Sequence, residues 1–95
     1  MVTSTSSYGF SRPQLANQVR LTFDRTRGRW VILAPERLLV PNDVAVEILL
    51  RCDGIASVED IADDLAGAFD ATREVIVHDV RHLVDDLGAR GLLVG

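Results

Sequence analysis

Ninety-five residues, 47% apolar and 25% charged, make one small globular domain that buries about 60–65% of its unfolded surface and has little room for a deep active-site cavity. A net charge of −4, with every basic residue an arginine, argues against nucleic acid or an anionic membrane as partner, and no apolar stretch approaches the roughly 20 residues that cross a bilayer. The single cysteine, Cys52, permits no internal disulfide and fits a cytoplasmic location, and residues 1–9 lack the basic start and apolar run of a secretory signal.

Residues 1–18 are rich in Ser and Thr, show no periodicity, and are expected to form a flexible tail ahead of a domain at 19–95. Val19, Leu21 and Phe23 alternate with Arg20 and Thr22, which predicts a strand with one buried face. A Gly28-centred turn leads to a second strand at 29–33, and the two form a hairpin. Pro35 breaks that strand, and residues 37–40 give a short third one ending at Pro41.

Beyond Pro41 the spacing is helical. Asn42 is an N-cap for a first helix whose buried stripe is Ala45, Ile48, Leu49 and Cys52, with Gly54 as its stop and with Val46 and Leu50 facing away. Ser57 and Asp60 have the spacing of a capping box, opening a second helix that buries Val58, Ile61, Ala62 and Leu65. Asp70 or Thr72 caps a third helix of about five turns, and Gly91 closes it in a left-handed cap. Leu92, Leu93 and Val94 suggest a last short strand. The order is that of an α+β fold, three N-terminal β-strands followed by three α-helices, compatible with a small winged helix-turn-helix domain.

Enzyme signals fail one by one. His78 and His82 stand four apart, as in zinc-protease helices, but the residue after His78 is Asp79 rather than Glu, and no third ligand is evident. Both histidines fall opposite the stripe of Ile76, Val80, Leu83 and Leu87, which reads as a solvated face. Cys52 lies on a buried stripe, where a thiol is inert. No metal or cofactor site is read. The chain is expected not to be an enzyme.

Two features point to binding. Arg25, Arg27 and Arg29 form a basic cluster on the first hairpin, suited either to a soluble turn pairing with Asp24 or to an acidic partner. An edge third strand offers free main-chain groups to an extended peptide. Beyond its core stripe the third helix shows Val77 and Val84 on one edge, with Arg73 nearby, and Val75, Asp79 and Asp86 on the other.

Asp24, Arg27-Gly28-Arg29-Trp30, Pro35-Glu36-Arg37, Asn42-Asp43, Ile48-Leu49, Asp53-Gly54, Ser57-Val58, Ile61, Leu65, Glu74-Val75, Asp79-Val80, Leu83, Leu87 and Gly91-Leu92 together make a pattern over residues 19–94. It resembles the PqqD family, peptide-binding proteins of pyrroloquinoline quinone (PQQ) biosynthesis. The resemblance implies a winged helix-turn-helix recognition element that holds the PqqA-like PQQ precursor peptide between the third strand and the third helix. It also implies presentation of that peptide to a PqqE-like radical S-adenosylmethionine enzyme, with no catalysis by the adaptor itself.

Carried to this chain, the resemblance puts the strand contacts at Arg37, Leu38, Leu39 and Val40, and the helix contacts at Arg73, Val75, Val77, Asp79 and Val84. Trp30 is expected to be a core aromatic. Leu39→Pro is the expected lesion to strand addition, with Leu38→Pro as its control. A homodimer stays open, as does a leader-peptide module of another ribosomal peptide pathway. The alternative of a different class is a DNA-binding regulator.

Overall fold

In the computed structural model, which describes residues 11–95, the elements follow in the order β1 (Gln14–Leu15), β2 (Arg20–Asp24), β3 (Arg29–Ala34), β4 (Arg37–Leu39), α1 (Asp43–Leu50), α2 (Val58–Ala68), α3 (Arg73–Ala89) and β5 (Leu93–Val94). Four strands precede the three helices and a last short strand follows them, as the α+β reading expects. β2, β3 and β4 form one antiparallel sheet with β4 at its edge, while β1 and β5 pair as a second, two-stranded sheet.

The Asp24 turn fixes the first hairpin. Its carboxylate accepts from the backbone N–H groups of Thr26 (3.0 Å) and Arg27 (3.2 Å), and its side chain pairs with the Arg27 guanidinium at 3.3 Å. Gly28, at φ 68°, donates to the Asp24 carbonyl at 2.7 Å from a conformation that L side chains seldom adopt. The bonds to its carboxylate from Arg27 and Thr26, led by the Arg27 N–H, hold the Asp24 carboxyl below its ordinary range.

Each helix starts on a side-chain cap. Asn42 accepts from Ala45 N–H at 2.8 Å, and Thr72 rather than Asp70 accepts from Val75 N–H. At α2 both halves of the capping box form, Asp60 N–H to Ser57 Oγ and Ser57 N–H to Asp60, each at 3.0 Å. α3 ends in a Schellman motif. Gly91 (φ 77°) donates to Gly88, and Leu92 donates to the Leu87 carbonyl at 2.9 Å.

The core joins Ile32 of the sheet to Ile48, Leu49, Ile61, Leu65, Val80 and Leu87 of the helices, sealed by Leu92 and Leu93. Four local expectations are corrected. The tail expected to run through Gln18 already contains β1: Pro13 is fully buried, and Ala16 N–H reaches the Leu92 carbonyl at 2.9 Å. A strand of two residues is too short to show a period in sequence.

Trp30 is only half-buried and lies outside the core, packed edge-to-face on its cross-strand partner Phe23, whose ring is itself exposed (centroids 5.5 Å, 76°). Val46, expected to face away, is buried, whereas Leu50 is exposed. α1 ends at Leu50, short of Gly54, whose N–H instead holds the Pro13 carbonyl at 3.0 Å. Residues 1–10, including Tyr8 and Phe10, lie outside the described residues.

Candidate functional site

The register of the second hairpin decides which main-chain groups of β4 are free. Pro35 and Glu36 form a two-residue connection, with Glu36 at φ 63°, and Ala34 pairs with Arg37. A loop this short requires Ala34 and Arg37 to exchange both hydrogen bonds, and the antiparallel ladder then alternates. Leu33 and Leu38 form the non-bonded pair, and Ile32 and Leu39 the next bonded one. The N–H and C=O of Leu38 therefore point away from β3, as do those of Val40, while Leu39 N–H is used within the sheet. This reverses the register assumed for the proline test. Alternation also turns Leu39 towards the core side with its partner Ile32 and leaves the Leu38 side chain more than half exposed.

Between β4, the start of α1 and the C-terminal half of α3 runs a cleft of about 210 Å³, floored by Ile32, Leu49 and Leu87 and walled by Leu39, Leu83 and Arg90. At the Arg90 end Arg37 bridges β4 to α3 by donating to the Arg90 carbonyl at 3.0 Å. Past Leu83 an adjoining depression lies between Asn42 and Val44 on one side and Asp79, His82 and Asp86 on the other. Next to it is a hollow of about 250 Å³ among Val44, Leu65, Phe69 and Ile76.

The two edges of α3 have different fates. α2 packs along the edge that carries Val77 and Val84, leaving Val84 fully buried and Val77 half-buried against the core. Arg73 faces the same way and is paired with Asp63, as Arg81 is with Glu59. Arg73, Val77 and Val84 thus lie away from the cleft, a correction to their expected place in the groove. The opposite edge meets it: Asp79 lines the adjoining depression, and Val75 stands exposed on the same edge.

On α3 and its cap, Leu83, Leu87 and Arg90 are the lining residues that the sequence reading missed. Their spacing with Asp79 and Asp86 (i, i+4, i+7, i+8 and i+11) marks one face of a helix, but no sequence signal said that this face meets β4.

The other candidates read from the sequence are Cys52 and the His78–His82 pair. Cys52 is buried with its thiol donating to the Ile48 carbonyl at 3.3 Å, and burial, then the nearby Asp53 charge, pushes it up to about 11. The His78 and His82 rings stack at 6.3 Å on an exposed surface, and among the described residues no cluster of His, Cys, Asp or Glu could hold a metal ion. No helix among those residues is long and apolar enough to cross a membrane.

This arrangement of hairpin, edge strand and long third helix matches known proteins. The family model for coenzyme PQQ synthesis protein D, PqqD, matches residues 29–93. The chain belongs to the PqqD family. It is 53% identical over 83 residues to the PqqA binding protein of Rhodopseudomonas palustris (strain BisB5), covering 87% of this chain and 81% of that protein.

Its fold is similar to the solution structure of the PqqD truncation of Methylobacterium extorquens PqqCD, described as a functional, stand-alone recognition element for ribosomally synthesised, post-translationally modified peptides. The TM-score is 0.76 at 36% identity, over 92% of this chain and 96% of that one. A lasso peptide synthetase B1 solved with its leader peptide shares the fold with TM-score 0.76 at 22% identity, over 90% of this chain and all of that one. PqqD membership accounts for the pattern from Arg29 to Leu92. β1 and β2 lie before the matched region.

Proposed function

We propose that this PqqD protein binds the PQQ precursor peptide, a PqqA-like chain, as an added strand on β4, and delivers it without catalysis of its own to a PqqE-like radical S-adenosylmethionine enzyme in the cytoplasm. The observation that carries the reading is the pairing of an unpartnered main-chain edge at Leu38 and Val40 with an apolar cleft beside it. Main-chain bonds to the edge supply affinity, and the cleft selects side chains at alternate positions. Supporting it, the Rhodopseudomonas relative is named for binding PqqA, and the Methylobacterium domain acts as a stand-alone peptide recognition element.

In this reading Leu38 contributes main-chain groups, Leu39 and Val40 line the cleft with Asp79, Leu83 and Leu87, and Val75 extends the wall. Arg37 orders the strand rather than touching the cargo. A leader peptide from another ribosomal pathway would use the same edge.

A DNA-binding role is disfavoured by charge. Each arginine of α3 and its cap is paired with a carboxylate: Arg73 with Asp63, Arg81 with Glu59 and Arg90 with Asp86. A duplex would have to displace those partners before any phosphate was neutralised. The test is fluorescence anisotropy with a labelled synthetic PqqA peptide over a salt series. Strand addition predicts binding that changes little with salt, whereas a steep salt dependence, or binding of duplex DNA and not peptide, would contradict it.

A further inference from the structure

We propose that the cleft grips its peptide at two apolar anchors, the second being the hollow of Val44, Leu65, Phe69 and Ile76, which receives one branched or aromatic side chain lying outside the strand-added segment. This rests on the strand-addition reading above. The hollow adjoins the cleft through shared lining residues: the β4 compartment and the depression share Asn42, Leu83 and Asp86, and the depression and the hollow share Val44 and Asp79.

The lengths of the two walls require such an anchor. β4 offers outward main-chain groups only as far as Val40, because Pro41 has no N–H. Past Leu83, which lies beside Asn42, the α3 wall runs on to Ile76, about 10 Å at the helical rise of ~1.5 Å per residue. That span equals about three residues of extended chain. A peptide leaving Val40 along this wall has no ladder to hold it, so side chains must.

The hollow is built for an apolar one. Leu65 and Ile76 form a buried floor, and Val44 and Phe69 form a rim that is exposed at 44% and 39%. At about 250 Å³ it is below the roughly 300–1,000 Å³ of small-molecule pockets and suits a single side chain.

Direction follows from the geometry. Arg37 lies at the Arg90 end and Asn42 near Leu83, so β4 runs from the Arg90 end of the cleft towards the hollow. An antiparallel peptide runs the opposite way, which puts the second anchor about three residues N-terminal to the strand-added segment. Between the anchors the peptide passes the exposed carboxylates of Asp79 and Asp86, the latter shared with Arg90 at 3.4 Å. A neutral or basic residue fits that stretch, and an acidic one is repelled.

The experiment compares a fluorescently labelled synthetic PqqA peptide with the same peptide shortened from its N-terminus, on the wild-type chain and on Phe69→Ala and Val44→Glu. Val44→Glu adds an acidic residue to the first turn of α1, where the helix dipole favours it, so it serves as the second variant if Phe69→Ala folds poorly. Each substitution is expected to weaken the full peptide about tenfold, the scale of removing one buried apolar contact, and to leave the shortened peptide unchanged. Equal losses for both peptides, or no loss for either, overturn the second anchor. If a second copy of the chain fills the hollow, Phe69→Ala changes the sedimenting mass rather than peptide affinity, and the proposal falls. Failure of the underlying reading is separate: the wild-type chain then binds neither peptide, or Leu38→Pro binds both as well as wild type.

Discussion

The Arg37 guanidinium donates to the main-chain carbonyl of Arg90 at 3.0 Å, tying the edge strand β4 to the C-terminal cap of α3. Those two elements are the walls of the cleft, and this bond joins them at its Arg90 end. Arg37→Ala is expected to lower unfolding free energy by about 0.5–1 kcal/mol, the range for an exposed charged donor on a neutral acceptor. Urea unfolding with an unchanged m-value measures it. No shift in the midpoint would mean that the bond contributes nothing in solution.

The ladder register separates two prolines. Leu38→Pro removes an N–H that faces away from β3, so the fold should survive, as proline does at such edge positions, while peptide binding is lost. Leu39→Pro removes a bond to Ile32 inside the sheet and disturbs a side chain packed on the core, and is expected to cost about 3 kcal/mol or more. Circular dichroism melts beside anisotropy titrations distinguish the two. A stable Leu38→Pro that binds peptide normally would sink strand addition at this edge.

Glu36 holds φ 63° in the Pro35-Glu36 turn, a left-handed conformation that costs a side-chain-bearing residue about 1–2 kcal/mol. Glu36→Gly relieves that cost but adds chain entropy to the unfolded state, for a net gain of about 0.5–1 kcal/mol. A lowered melting temperature would show that the turn relaxes differently in solution.

Burial, reinforced by the Asp53 charge, raises the Cys52 thiol from 9.0 to about 11. The folded state therefore holds this proton more tightly than the unfolded one. The stability that follows is complete below about pH 9 and is lost as pH rises towards 11. Few other groups obscure this window, since the chain has no lysine and one tyrosine. Urea midpoints should fall across it, and Cys52→Ala should flatten the fall. A thiol reagent at pH 8 should label the native chain slowly and the unfolded chain at once.

Much of the fold was legible because local chemistry and tertiary packing agreed. Asn42, the Ser57–Asp60 box and Gly91 each sit where the cap geometry needs them, and the stripe of Ile76, Val80 and Leu87 is the buried face of α3. The strand half of the site was legible for a similar reason, since Pro35 and Pro41 bracket β4.

The helix half was legible only in part. Val77 and Val84 flank the core stripe on one edge and Val75, Asp79 and Asp86 on the other, and sequence cannot say against which edge α2 packs. Once α2 covers the valine edge, the carboxylate edge is left for the cleft. β1 was invisible for another reason. Two residues carry no period, and their partner lies at the far end of the chain.

The most direct test of peptide addition at β4 is a two-dimensional amide NMR titration of the labelled protein with synthetic PqqA peptide. The account predicts shifts concentrated at Leu38, Leu39 and Val40 and along the Asp79, Leu83, Asp86 and Arg90 face of α3, with the Val77 and Val84 edge and the Asp24 turn quiet. Shifts centred on the Arg25, Arg27 and Arg29 hairpin, or none at millimolar peptide, would contradict it.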